Sequence, residues 1–194
     1  MENWERSLVG IEMLKNILEC IEYKMKNKAI FLDRDWTINY DFSYVYKISY
    51  LKLLDGVKEG LYELKKWWYK LIIITNQSWI WRWYYTIDDC NRFNNELENQ
   101  LWLEFDWIYI CPHSPDDNCK CRKPKTLLVE KAIRDFDLDI NQCYFVWDKE
   151  SDVQTGINIW CKTVLIENNQ YECNIKSDFL CSSISKFSTL LKKK

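Results

Sequence analysis

Lys28-Ala-Ile-Phe-Leu-Asp33-Arg-Asp35 decides how this chain is read: an apolar run that ends on two carboxylates two residues apart. Successive side chains of an extended segment alternate between faces, so Asp33 and Asp35 start out on the same side. Two such charges repel unless a cation or a shared proton relieves them. The pair points to Mg²⁺-assisted chemistry on phosphate if other residues join it. In isolation it would read as a solvated strand end.

The rest of the chain supplies those partners. Four more short runs, Leu71–Thr75, Trp107–Cys111, Cys143–Trp147 and Thr163–Ile166, are nearly unbroken in apolarity and rich in β-branched or aromatic residues. Buried parallel strands have that character. Helical patterns lie between them at about 56–67, 86–101, 125–136 and 150–159, and a last helix is predicted over 178–192. This alternation predicts an α/β fold, a Rossmann-like parallel sheet with helices on both faces. Ligands of such sheets bind beyond the carboxyl ends of the strands. Polar residues gather there: Asp33, Asp35 and Thr37 after the first strand, Thr75, Asn76, Gln77 and Ser78 after the second, and Asp148, Lys149 and Asp152 after the fourth. Any one group could be a helix cap or a solvated turn; their joint placement on one rim marks the candidate site. Residues 1–27 read as an amphipathic helical extension, with Leu8, Ile11, Leu14, Ile17 and Ile21 at helical spacing, ahead of a domain over 28–194.

Bulk properties narrow the classes. A net charge of −2 gives no global electrostatic case for nucleic acid or an anionic membrane. No apolar stretch approaches the roughly 20 residues that cross a bilayer. The start, Met1-Glu-Asn-Trp-Glu-Arg, lacks the basic-then-apolar layout of a secretory signal, and nine cysteines then read as reduced thiols in a cytosol. Four ligand-type residues stand together in Cys111-x-His113-x₅-Cys119-x-Cys121, and His113 is the only histidine. A Cys₃His set is a closed tetrahedral Zn²⁺ site of the structural kind. Zn²⁺ would fix a loop too polar to fold alone and would place Arg122 and Lys123 next to the rim. Cys20, Cys90, Cys143, Cys161, Cys173 and Cys181 lack such spacing and are read as structural.

One composition figure is out of line. There are 11 tryptophans and only 4 glycines, and together these make about the glycine complement expected at this length. Trp36, Trp79, Trp81, Trp83, Trp147 and Trp160 stand where tight loops and helix ends most need glycine. Tryptophans also cluster in stacking platforms and cores, but their bulk suits φ > 0 badly. The expectation is that codons read as glycine in the source, UGA in some genetic codes, are written here as tryptophan. Genuine indoles at 36 and 147 would instead crowd the metal pocket and imply a non-catalytic, zinc-stabilised relative.

The rim residues resemble the haloacid dehalogenase superfamily of phosphatases. Its D-x-D-G-T motif is matched by Asp33-Arg-Asp35-Trp36-Thr37, its strand-end Thr or Ser by Thr75, its Lys by Lys123 and its G-D-x-x-x-D by Trp147-Asp148-Lys-Glu-Ser-Asp152. Within it, Asn39-Tyr-Asp41-Phe-Ser-Tyr44-Val-Tyr-Lys47, Thr75-Asn-Gln-Ser78 with Arg82 and Tyr84, and Cys111-Pro-His113…Cys119-Lys-Cys121-Arg-Lys-Pro124 are similar to the D-glycero-D-manno-heptose 1,7-bisphosphate 7-phosphatases, which also resemble histidinol-phosphatases. The tyrosine-rich segment and the Arg82 loop favour the heptose enzymes; the cysteine loop separates the two poorly. The resemblance implies a cytoplasmic, monomeric Mg²⁺-dependent phosphatase without a large cap, acting on a small phosphate ester. It implies Asp33, Asp35, Thr75 and Lys123 as catalytic and Asp33, Asp35 (through its carbonyl) and Asp148 as Mg²⁺ ligands. It implies Asp41, Tyr44, Asn76, Gln77, Ser78, Arg82, Arg122 and Lys149 as substrate contacts, with Asp152 orienting Lys149 or a metal-bound water.

Overall fold

The computed structural model describes residues 26–42, 46–167 and 175–193. Most of the predicted N-terminal helix, together with Tyr44, Cys20 and Cys173, lies outside the described residues. Six strands form one sheet: β1 Lys28–Leu32, β2 Tyr69–Asn76, β3 Trp107–Cys111, β4 Tyr144–Trp147, β5 Lys162–Ile166 and β6 Phe179–Cys181. Their order is β3-β2-β1-β4-β5-β6 and every pairing is parallel. The chain therefore winds outward from β1 to β3, returns to the middle at β4, and winds the other way. The switch point between β1 and β4 is where such sheets open a crevice.

Alternation of side chains splits the core in two. Ile30, Leu32, Leu71, Ile73, Tyr144, Val146 and Val164 face one layer, with Leu61 and Leu64 of α1 (Val57–Lys66), Leu97 of α2 (Ile87–Leu101) and Phe187 of α5 (Ile184–Leu191). Ala29, Phe31, Ile72, Ile74 and Phe145 face the other, with Val129 and Ala132 of α3 (Leu127–Asp135) and Val153 of α4 (Glu150–Asn158). A strand buried on both faces cannot alternate polar and apolar residues, which is why these runs read as unbroken. Among the described residues no helix is long and apolar enough to cross a membrane.

Two boundaries differ from expectation. The predicted helix over 178–192 is a short strand followed by a shorter helix. Asp178 accepts from the Thr163 N–H at 2.7 Å and from its hydroxyl at 2.8 Å, which holds Phe179–Cys181 alongside β5. Three residues are too few to show a period of two. At the other end, Asn27 already bridges to Leu138 and donates its N–H to Asp137 O at 2.9 Å, so the folded unit includes it.

The tryptophans show where glycine chemistry is required. Eight described residues outside the usual backbone regions have positive φ: Gly56, Asn118, Asp137 and five tryptophans, namely Trp36, Trp68, Trp83, Trp102 and Trp160, at φ 56–63°. Trp79, Trp81 and Trp147 are not among them, whereas Trp68 and Trp102, which sequence context does not single out, are. Holding an L-residue left-handed costs about 1–2 kcal/mol, so five such sites rival the about 5–15 kcal/mol that keeps a domain folded. Crowding is not the difficulty. Trp147 packs into the core beside Phe31 and Phe145, and its indole N–H has no hydrogen-bond partner there.

Candidate active site

Asp33 follows β1 and Asp148 follows β4, so the switch point brings them side by side. The Asp33 N–H donates to Val146 O at 3.1 Å, continuing the β1–β4 ladder by one residue. Asp152 comes from the first turn of α4. Oxygens of Asp33, Asp148 and Asp152 lie within 4.8 Å of one another, and all three residues are buried. Lys123, also buried, enters from the loop after the cysteines. Its ammonium lies 2.9 Å from Asp33 Oδ1 and 2.6 Å from Asp152 Oδ1, and donates to Ile74 O at 2.7 Å.

Lys123 is shared by two of the three buried carboxylates, and the charge of Lys149 also acts on Asp148 and Asp152, which still leaves more negative than positive charge at the site. Burial would lower the pKa of the Lys123 ammonium, but Asp152 and Asp33 hold it above its ordinary value. Burial pushes Asp152 up to about 6, only partly offset by Lys123. Burial together with the Asp33 charge pushes Asp148 up to about 8. An all-oxygen donor set with excess negative charge suits a hard divalent cation such as Mg²⁺. Asp33 and Asp148, which follow neighbouring strands, would hold it, while Asp152 makes the shorter contact with Lys123.

The second carboxylate of the pair faces a different neighbourhood. Arg34 forks onto Asp35, Nε to Oδ1 and Nη2 to Oδ2, each at 3.0 Å. Asn39 donates to Asp35 Oδ1 at 3.1 Å and Gln77 to Oδ2 at 2.9 Å. Burial would raise the Asp35 carboxyl, but Arg34 and these donors keep it below the usual range. Gln77 also donates to Thr75 Oγ1 at 2.9 Å and accepts from the Tyr85 hydroxyl at 2.5 Å. The oxygens of Asp35 and Thr75 are thereby spaced by one amide.

These groups line a cleft of about 170 Å³ that Asp41, Asn76, Ser78, Trp79, Arg122, Lys149 and Ser151 complete. Eleven of the residues expected at the site are thus brought together, with Asp148 beneath them. Two of the expected substrate contacts that line the cleft also bond to protein partners. The Asn76 side chain is bonded to the Lys123 backbone, accepting its N–H at 3.1 Å and donating to its O at 3.3 Å, and the Gln77 amide is engaged as described. Arg82 lies outside the cleft, exposed, with its guanidinium 4.9 Å from the Trp79 ring centre. Trp36 and Trp147 do not line the cleft, so the expected crowding there does not occur. Sequence reading missed Arg34, Asn39, Tyr85 and Asn94. Only the position of Arg34 between two acids offered a signal.

Beyond the rim, Cys111, His113, Cys119 and Cys121 converge with ligand atoms within 4.8 Å of one another. The Sγ atoms are 3.2–3.7 Å apart and His113 Nδ1 is 3.2 Å from Cys121 Sγ. Four ligands on Zn–S bonds of about 2.3 Å span tetrahedral edges of roughly 3.8 Å, so the set fits that ion. Arg122 donates to His113 O at 3.3 Å, tying the loop to the cleft.

Comparison with known proteins agrees with this geometry. A family model described as HAD-hydrolase-like matches residues 120–183. The chain is 41% identical over 148 residues to the D-glycero-beta-D-manno-heptose-1,7-bisphosphate 7-phosphatase of Helicobacter pylori, covering 73% of this chain and 86% of that one. It is also 41% identical over 154 residues to the D-glycero-alpha-D-manno-heptose-1,7-bisphosphate 7-phosphatase of Campylobacter jejuni, covering 75% and 86%. The D,D-heptose 1,7-bisphosphate phosphatase of B. bronchiseptica, solved with magnesium and phosphate, superposes with a TM-score of 0.78 at 25% identity, covering 88% of this chain and all of that one.

The raised carboxyls give a pH signature. Asp148 and Asp152 bind protons more tightly folded than unfolded, where a carboxyl titrates near about 4. Their contribution is therefore complete below about pH 4 and is lost as pH rises through about 6 and then about 8. Melting curves in chelator should show Tm falling from pH 5 to 8, and excess magnesium chloride should flatten that fall. Parallel curves with and without the cation would refute the site.

Proposed function

The chain belongs to the D-glycero-D-manno-heptose-1,7-bisphosphate 7-phosphatase family of HAD-like hydrolases and is a phosphoric monoester hydrolase, and from this we propose that it removes the 7-phosphate of a heptose 1,7-bisphosphate with Mg²⁺. The observation that carries the reading is the presentation of Asp33. Among the described residues, both donors to its carboxylate fall on Oδ1, the Arg34 N–H at 2.8 Å and Lys123 at 2.9 Å. Asp33 itself lines the cleft.

Asp33 attacks phosphorus in line and forms an aspartyl-phosphate. Asp35, once protonated, gives its proton to the departing sugar oxygen and later takes one from the hydrolytic water. Lys123 and Thr75 stabilise the transferring oxygens, where negative charge spreads in the transition state. Mg²⁺ held by Asp33 and Asp148 would offset the repulsion between an anionic nucleophile and an anionic phosphate. Arg122 and Lys149 supply positive charge at the cleft mouth for the sugar phosphate, with Asp41 and Ser78 facing its hydroxyls. Zn²⁺ in the cysteine loop would act at one remove, by fixing the segment that delivers Arg122 and Lys123.

Asp33→Asn keeps the volume and removes the nucleophile, so turnover of heptose 1,7-bisphosphate should vanish while the melting temperature holds. Undiminished hydrolysis would rule out the phosphoenzyme route. A panel with Mg²⁺ should show preference for that substrate over histidinol phosphate; the reverse preference would reassign the substrate. Cys119→Ser should lower zinc content and Tm together, and a full zinc complement in that variant would exclude the site.

A further inference from the structure

We infer that positions 36, 68, 83, 102 and 160 are occupied by glycine in the protein as its source makes it, the codons being UGA read as glycine. Every other described residue with positive φ is Gly, Asn or Asp, the types that tolerate a left-handed backbone. Tryptophan is the sole exception, and it occurs there five times. The local hydrogen bonding explains the demand. At the end of α2, Leu103 N–H reaches Glu98 O at 3.2 Å around Trp102, and at the end of α4, Cys161 N–H reaches Gly156 O at 3.0 Å around Trp160. Both are Schellman closures, whose central residue is left-handed and most often glycine. The end of α3 is built the same way, Leu138 N–H to Ile133 O at 3.0 Å, and its central residue is Asp137. The indoles themselves add little packing: Tyr40 meets Trp36 edge-on at 5.5 Å and Lys58 lies 4.7 Å over Trp102. Trp68, Trp83, Trp102 and Trp160 are 87, 94, 80 and 88% exposed, the four highest values among the exposed large hydrophobics. Trp36 is the fifth, in the turn after Asp35 closed by its N–H to Asn39 O at 2.7 Å.

The gene should carry UGA at these five positions; UGG at them overturns the inference. A physical test needs no gene. The chain with Trp36→Gly, Trp68→Gly, Trp83→Gly, Trp102→Gly and Trp160→Gly should melt above the chain as written. Replacing its fifth change by Trp160→Ala removes the same exposed ring but keeps a Cβ, and should lower Tm by roughly 2–8 °C. Equal Tm for the glycine and alanine chains would show that the left-handed backbone is not what these positions require.

A second, independent observation concerns Arg34. We propose that it is the positioning residue for Asp35, an inference that rests on Asp35 being the proton donor. Its guanidinium is buried, forks onto both Asp35 oxygens, and is itself fixed from behind by α2. Asn94 Oδ1 accepts from Nη1 at 3.2 Å, Cys90 Sγ lies at 3.6 Å, and the Phe93 ring centre is 4.7 Å from Cζ. A lysine would keep the charge and lose the planar fork.

The test compares two esters on Arg34→Lys: a sugar phosphate, whose alkoxide needs a proton, and p-nitrophenyl phosphate, whose phenolate leaves without one. kcat should fall roughly 10- to 100-fold on the sugar phosphate and change little on the aryl ester. An equal loss on both, or no loss on either, would reduce Arg34 to a structural residue. Asp35→Asn in the same assay reports on the underlying reading, which fails if that variant shows no dependence on the leaving group.

Discussion

Repulsion among carboxylates gathered at the switch point of a parallel sheet is the constraint that orders everything around the site. Asp33, Asp148 and Asp152 reach one another because β1 and β4 are neighbours in the sheet though separated by more than 100 residues in the chain. Burial removes the water that would screen them, so each needs a specific cation. Lys123 answers two of them and explains why its loop is so firmly held: Asn76 pins its backbone, and Ile74 O takes its third proton. Asp148, raised by burial and by the Asp33 charge, lies close enough to Asp33 to share a metal ion with it.

Asp35 belongs to a separate electrostatic compartment only two residues away. Arg34 turns away from Asp33 and into α2, and carries Asp35 with it. The two acids of the opening motif thus start from one strand face and end in opposite environments, one open to Lys123 and the cleft, the other saturated by Arg34, Asn39 and Gln77. Such a split is what assigns different chemical roles to a pair of like groups.

Strand and helix positions were largely legible because burial on both faces writes continuous apolar runs. The cysteine loop was legible because three thiols and an imidazole crowded into so short and polar a span rarely serve anything but a metal ion. What stayed hidden has physical causes. The strand Phe179–Cys181 is too short to carry a period, and its place comes from Asp178 gripping Thr163. Asn76 and Gln77 line the cleft, as their place at a strand end suggests, but the protein partners of their amides are set by tertiary contacts, which sequence spacing does not show. Tyr85 and Asn94 reach the site from α2 or just before it, through contacts that no local pattern encodes.

The tryptophans are the instructive case, because the composition raised the question and only the backbone could sort the positions. Sequence context placed Trp147 among the doubtful residues through its resemblance to a G-D motif, yet its backbone is an ordinary strand and its ring fills a core. Trp68 and Trp102 carry no such signal in the sequence, yet both stand in left-handed geometry at helix ends. A motif identifies where a family carries glycine; φ identifies where the chain cannot do without it. Those two criteria meet at Trp36, in the turn that carries the chain from Asp35 to Thr37, so the demand for glycine falls on the backbone beside the candidate proton donor.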